Sequence, residues 1–156
     1  MIRAATVGDV SLILGFIREL AAYERLSDEV VATEASLAST LFGPRPAAEV
    51  LIAELDGAPV GFALFFTSYS TFLGRPGIYL EDLFVRPDAR GRGIGRDLLA
   101  RIARIALDRG CGRLEWSVLD WNVDAIGFYE KVGAVAMDDW TTYRLTGEDL
   151  ARLAQG

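Results

Sequence analysis

Residues 79–95, YLEDLFVRPDARGRGIG, run from an apolar stretch into a turn rich in glycine and arginine. Residues 78–85 are apolar at nearly every position except Glu81 and Asp82, which is typical of a central strand with both faces covered. A helical apolar period follows over residues 94–108. A strand, a glycine turn and a helix in this order predict an anion site, because small residues allow close backbone approach and the first helical N–H groups point outward.

The charges of this turn support an anionic ligand. Arg90, Arg92 and Arg96 lie at or near the start of the predicted helix, where cations oppose the helix dipole unless an anion lies between them. The turn matches neither G-x-x-x-x-G-K-[ST] nor G-x-G-x-x-G, so a nucleoside triphosphatase and a dinucleotide-binding protein are both weak hypotheses.

The rest of the chain alternates strand and helix patterns around this segment. Asp56-Gly57 predicts a tight hairpin turn, and Thr33 is a plausible helix cap. The patterns predict strands at 2–5, 50–55, 60–66, 78–85, 113–119 and 140–145, and helices at 10–21, 33–42, 94–108, 122–132 and 147–154. We therefore expect one α/β domain over residues 1–156, with a mixed central sheet flanked by helices on both faces.

Composition excludes several classes of function. The 156 residues carry a net charge of −6, which disfavours binding to nucleic acid or to an anionic membrane. The chain has no histidine, which excludes a Ser-His-Asp triad and any His-based zinc site, and we expect no metal. Cys111 is the only cysteine, and we expect it to be a packed, inert thiol. The N-terminal residues show no leader pattern, so we expect a cytoplasmic protein.

Three segments resemble one family. Arg90-x-x-Gly93-x-Gly95 resembles the pyrophosphate-binding signature of the GCN5-related N-acetyltransferases (GNAT), and residues 120–134 are similar to a later element of that family. Within the family, the string Tyr-Leu-Glu-Asp-x-Phe-Val, the residues Ala22-Tyr23-Glu24 and the pair Trp121-Asn122 are similar to spermidine/spermine and thialysine acetyltransferases. The resemblance implies an acetyltransferase fold, acetyl-CoA as co-substrate, a small-molecule amine as partner and a homodimer.

The resemblance also implies which residues bind acetyl-CoA. The pantetheine arm would lie along the backbone of the strand, the pyrophosphate in the turn, and the remainder against the helix that begins near Asn122. The implied residues are Leu83, Phe84, Val85, Arg90, Gly91, Arg92, Gly93, Ile94, Gly95, Arg96, Asn122, Asp124, Ala125 and Tyr129.

For catalysis, the resemblance implies Glu81, directly or through water, as the base and Tyr129 as the acid that protonates the leaving thiolate. Acceptor-binding residues would be Tyr23, Glu24, Glu81, Asp82, Glu115, Trp116 and Ser117. Glu81 and Asp82 point to opposite faces of a regular strand, so both can serve one cleft only if a bulge or splay breaks the alternation.

The acceptor is predicted to be a primary amine on a small cationic molecule: a diamine, a polyamine or a thialysine-like amino acid. Tyr69-Ser70-Thr71-Phe72 replaces the Tyr-Asp-Pro-Trp of the polyamine enzymes, and Trp140-Thr141 replaces a late acidic pair, which favours a short amine. Two alternatives stay open at this point. One is a catalytically idle acyl-CoA-binding regulatory module, and the other is an enzyme that acetylates protein N-termini or lysines.

Overall fold

The computed structural model describes residues 1–156, and the chain divides into two compact units, residues 1–119 and residues 120–156. The first unit contains strands β1 (Ile2–Ala4), β2 (Glu49–Leu55), β3 (Ala58–Ser70), β4 (Arg75–Val85) and β5 (Leu114–Trp116), with helices α1 (Val10–Tyr23), α2 (Glu34–Phe42) and α3 (Ile94–Asp108). The second unit contains helices α4 (Val123–Lys131) and α5 (Gly147–Ala154). None of the helices combines the length and the apolar content that a membrane span needs.

The five strands form one mixed sheet in the order β1-β2-β3-β4-β5. Neighbours from β1 to β4 are antiparallel, and β5 runs parallel to β4. The turn between β2 and β3 is the predicted one: Asp56 and Gly57 have φ values of 52° and 80°, the left-handed conformation that a tight hairpin turn requires.

Helices cover both faces of this sheet. On one face, α1 and α2 bury a cluster in which the Phe16 ring stacks on Phe62 at 5.3 Å and meets Phe84 edge-on at 6.4 Å. Val85 faces the other side of β4, and a Cβ at Gly95 in the first turn of α3 would lie 3.8 Å from its side chain. The α/β fold predicted from the sequence is confirmed.

Several helix boundaries agree closely with the sequence patterns. Helix α3 has the predicted bounds, and α2 begins after Thr33, whose hydroxyl accepts a hydrogen bond from the Ser36 amide at 3.1 Å. A cap of this kind stabilises a protein by about 1 kcal/mol.

The strand predicted at residues 140–145 is wrong, and the strand predicted at 113–119 is limited to Leu114–Trp116. Aromatic and β-branched side chains favour a strand at 140–145, but a strand forms only where a neighbour takes its ladder hydrogen bonds. Without such a neighbour the segment has no regular structure, and Trp140 and Tyr143 are 76% and 93% exposed.

Candidate active site

A β-bulge in β4 changes the direction of the side chains after Leu80. Phe65 of β3 pairs with Leu80 and Leu64 pairs with Asp82, so Glu81 is an extra residue opposite no partner. Directly paired residues share a face of the sheet, and Leu64 belongs to the cluster under α1 and α2. Asp82 therefore lies on the α1 face, although Leu80, two residues earlier, lies on the opposite face. The sequence analysis named a bulge or a splay as the condition for Glu81 and Asp82 to serve one cleft, and the structure has a bulge.

The bulge brings Asp82 into an acidic group with Glu81 and Glu24. Burial is the main cause that raises the pKa of Asp82 to about 7, and repulsion from Glu81 and then from Glu24 adds to it. Burial also raises the pKa of Glu24, which caps the C-terminal end of α1. A carboxyl group with a pKa near neutrality can both accept and release a proton at physiological pH.

The edge of β4 changes partner at the same point. Parallel pairing with β5 covers Ile78 to Leu80 and ends at the pair Leu80–Trp116. Residues 81–85 continue the strand beyond this pairing, and Leu83 and Val85 were the positions predicted to hold a pantetheine arm through their backbone. Phe84 was predicted with them, but its side chain is in the core, so only its backbone can take that part.

The turn after β4 has the backbone of an anion cradle. Pro87–Ala89 form a short 3-10 turn, after which Gly91 and Gly93 adopt φ values of 76° and 80°. These left-handed conformations are strained for residues with a Cβ, which accounts for the two glycines. Gly93 is the N-cap of α3, so the outward-pointing amides of the first helical turn follow directly.

The arginines of this turn do not share one role. Arg90, Arg92 and Arg96 are all exposed. The Arg90 guanidinium also lies 4.9 Å from the centre of the Tyr23 ring and 5.6 Å from that of Phe84, and its Nε donates a hydrogen bond to the Val85 carbonyl at 2.8 Å. The sequence predicts Arg90 among the pyrophosphate ligands, and in the structure its side chain contacts the end of α1 and the end of β4.

The predicted acceptor residues of β5 make contacts of their own. The Glu115 carboxylate pairs with Arg113 at 3.2 Å. The Ser117 and Tyr79 hydroxyls share a hydrogen bond of 2.6 Å, and the Tyr79 ring lies 5.3 Å from that of Phe66 at a tilt of 31°.

In the second unit, Asn122 fixes the start of α4. Its side-chain oxygen accepts a hydrogen bond from the Ala125 amide at 3.3 Å, and the residue is buried. Tyr129 lies one turn after Ala125, with its ring 5.5 Å from that of Phe128, and Asp124 is exposed in the first turn. The sequence predicted this helix to within one residue at each end.

Sequence reasoning missed Arg86 and Glu19. Two nitrogens of the Arg86 guanidinium donate to the Glu19 carboxylate at 3.0 to 3.3 Å, and the third donates to the Pro59 carbonyl at 3.0 Å. The only signal in the sequence was that Glu19 and Tyr23 are four residues apart and therefore share one face of α1.

Known proteins resemble this chain over most of its length. The model of the Acetyltransferase (GNAT) family matches residues 18–134. A thialysine N-epsilon-acetyltransferase of Bos taurus is 44% identical, over 99% of this chain and 96% of that protein. An L-ornithine N5-acetyltransferase of Arabidopsis thaliana is 37% identical, over 96% of this chain and 85% of that protein. Among solved structures, an integron cassette protein from the mobile metagenome of V. cholerae superposes with a TM-score of 0.82 at 29% identity, covering 100% of this chain and 98% of that one.

Proposed function

The chain belongs to the acetyltransferase (GNAT) family and is an N-acetyltransferase, and on this basis we propose that it transfers the acetyl group of acetyl-CoA to the primary amine of a small cationic acceptor. The observation that carries the proposal is the bulged end of β4. Glu81 and Asp82 lie there, and the charge of Glu24 at the end of α1 acts on Asp82. The same strand leads through the turn Pro87–Ala89 into the glycine cradle.

The acidic group supports a cationic acceptor. An ammonium group gains electrostatic energy beside carboxylates such as those of Glu24, Glu81 and Asp82. The relatives in the comparison are named for acceptors that are amino acids with a side-chain amine, thialysine and ornithine. We propose an acceptor of that size, with a diamine or polyamine as a poorer substrate.

The turn supports acetyl-CoA as the donor. Gly91 and Gly93 leave the backbone open to a pyrophosphate, and the first turn of α3 and the exposed Arg92 and Arg96 supply positive charge. Acetyl-CoA supplies a thioester whose carbonyl carbon an amine can attack and whose thiolate can leave. The family resemblance further implies Asn122, Asp124 and Ala125 of α4 as acetyl-CoA-binding residues.

Residues of the chain would then carry out two proton transfers, one from the acceptor ammonium and one to the departing sulfur. An aliphatic ammonium has a pKa of about 10, so the acceptor must lose a proton before it can attack. Glu81, directly or through an ordered water, takes that proton. Asp82, with its pKa of about 7, binds the ammonium group and can exchange a proton with Glu81 at neutral pH. As the nitrogen–carbon bond forms and the carbon–sulfur bond breaks, the Tyr129 hydroxyl donates a proton to the departing sulfur.

A second copy of the chain would cover the C-terminal segment. Residues 134–146 form no strand or helix, and large apolar side chains on them are exposed, including Val135, Met137, Trp140 and Tyr143. Exposed apolar patches mark interaction sites in folded proteins, and these four large side chains lie within nine residues of one segment. β5 is the last strand of the sheet, so its outer edge can accept an extended segment from another copy. We propose a homodimer built on these two features.

Three further expectations keep the status of proposals. We propose that residues 1–156 act as a single acetyltransferase domain, which the coverage of 96% of the Bos taurus relative supports. The predicted absence of nucleic-acid binding rests on the net charge of −6. The cytoplasmic location stays a prediction from the sequence.

The test is release of free thiol from acetyl-CoA across a panel of ornithine, thialysine, lysine, diamines, spermidine, spermine and peptides, at neutral and alkaline pH. We expect the highest kcat/KM with the amino acids that carry a side-chain amine. A preference for peptides would favour a protein acetyltransferase instead. No turnover with any amine, with acetyl-CoA still bound in calorimetry, would favour the idle acyl-CoA-binding module.

A further inference from the structure

Arg86 and Arg90 bracket the short turn Pro87–Ala89 and both reach from it to helix α1. Arg86 is fixed by its hydrogen bonds to the Glu19 carboxylate, and its guanidinium lies 4.7 Å from the centre of the Phe16 ring. The start of the turn is therefore attached to the middle of α1 by an ion pair and a cation–π contact.

Arg90 makes the second attachment, one helical turn further along α1. Its guanidinium lies 4.9 Å from the Tyr23 ring, four residues after Glu19, and its Nε donates to the Val85 carbonyl at 2.8 Å. The backbone of Arg90 enters the glycine turn, because Gly91 follows it. One side chain therefore contacts the end of β4 and the end of α1 from a residue of the cradle itself.

The end of α1 leads directly to the acidic group. Tyr23 is the last residue of the helix and Glu24 is its C-cap, and Arg25 reverses the chain with a φ of 62°. The negative charge of Glu24 acts on Asp82 across the α1 face of the sheet. Arg90 therefore contacts the last residue of α1, and the next residue along the chain, Glu24, acts on Asp82 through its charge.

We propose that Arg90 is a positioning residue rather than a phosphate ligand: it joins the glycine cradle to the end of α1, so that a donor ordering the cradle also orders Tyr23 and Glu24. The proposal rests on the proposed function for the identity of the two sites. Arg92 and Arg96 then supply the positive charge that binds the phosphates, and Arg90 contributes to binding of the acceptor.

The kinetic test compares Arg90→Gln with Arg92→Gln, which removes the same charge two residues away from an exposed side chain. With Arg90→Gln we expect the acetyl-CoA Kd in calorimetry to stay within about twofold of wild type and the acceptor KM to rise about fivefold or more, since cation–π contacts and a hydrogen bond are lost. With Arg92→Gln we expect the reverse pattern. A rise in acetyl-CoA Kd for Arg90→Gln equal to that of Arg92→Gln, with acceptor KM unchanged, would overturn the proposal.

Hydrogen exchange gives a readout that needs no turnover. The amides of Glu24 and Leu26 bond to the Leu20 and Ala21 carbonyls at 2.9 and 2.7 Å and report the order of the end of α1. Saturating acetyl-CoA should slow their exchange in wild type and in Arg92→Gln but not in Arg90→Gln. Slowing in Arg90→Gln equal to wild type would refute the coupling, even if the wild-type enzyme acetylated none of the amines tested.

Arg90→Lys guards against a folding defect in the glutamine variant. Lysine keeps a cation that can lie over the Tyr23 ring but lacks the planar fork that also bonds Val85. We expect it to restore at least half of the lost slowing of exchange. Failure to restore any of it would show that the cation–π contact does not carry the coupling.

Discussion

Replacement of Asp82 by asparagine should make the protein more stable at alkaline pH and less active. In the folded protein burial, with help from Glu81 and Glu24, raises the pKa of Asp82 from 3.8 to about 7. The folded state therefore binds more protons than the unfolded chain between these two values, and its stability falls as pH rises through this window.

The size of the effect follows from the change in pKa. One pKa unit corresponds to about 1.4 kcal/mol, so ionised Asp82 destabilises the folded state by about 4 kcal/mol above pH 7, relative to a neutral side chain. Below pH 4 the aspartic acid is protonated in both states and this contribution disappears. Asparagine has nearly the same shape and no charge, so Asp82→Asn should remove this loss of stability. The acidic group would then lack the carboxyl that titrates near neutral pH.

Urea denaturation of wild type and Asp82→Asn from pH 4 to pH 8 measures the prediction. We expect the difference in unfolding free energy to grow from near zero to about 4 kcal/mol in favour of the variant. Asp138→Asn, which removes an equal charge from an exposed residue, is the control and should give nearly parallel curves. A constant difference between wild type and Asp82→Asn across the range would refute the reasoning, and a carbon-13 titration of the Asp82 carboxyl would confirm which pKa the protein has.

Three more predictions concern the acid, the cradle and the dimer. Tyr129→Phe should lower kcat at least about tenfold, or about 1.4 kcal/mol of barrier, with acetyl-CoA affinity unchanged in calorimetry, and an unchanged kcat would exclude Tyr129 as the acid. Gly93→Glu forces a side chain into φ 80° and adds negative charge to the cradle, so acetyl-CoA binding should be lost in calorimetry; full binding would show that the cradle lies elsewhere. Light scattering should show a dimer for wild type and a monomer for Trp140→Glu, and a wild-type monomer at micromolar concentration would contradict the homodimer.

The sequence predicted those parts of the fold that depend on local patterns. The apolar period of α3, the Thr33 cap and the Asp56-Gly57 turn each act over a few residues, and each was confirmed in place. The fold class followed because strand and helix patterns alternate and both sheet faces need cover. The glycines at positions 91 and 93 likewise show the positive φ that makes them necessary.

Features that depend on distant partners were harder to predict. Residues 140–145 have the composition of a strand but no ladder, since composition does not reveal whether a neighbouring strand exists. Arg90 lies in a motif that suggests phosphate, yet Tyr23, far away in sequence, supplies an aromatic face that attracts its cation. From the sequence we could infer only that Glu81 and Asp82 need a bulge or a splay to serve one cleft. The bulge itself is visible only in the register of β4 with β3.

The extra residue at Glu81 makes the length of β4, as much as its composition, a determinant of the active site. If Glu81 instead took a place in a regular ladder, Asp82 would share the face of Leu80, while Phe84 would leave the α1 cluster and Val85 would enter it. For a relative that lacks the extra residue, an alignment without a gap at this point would assign the wrong face to every side chain from Asp82 to Val85. For relatives of this chain, the number of residues between the apolar half of the strand and the glycine turn is thus a character worth comparing before the identity of the carboxylates.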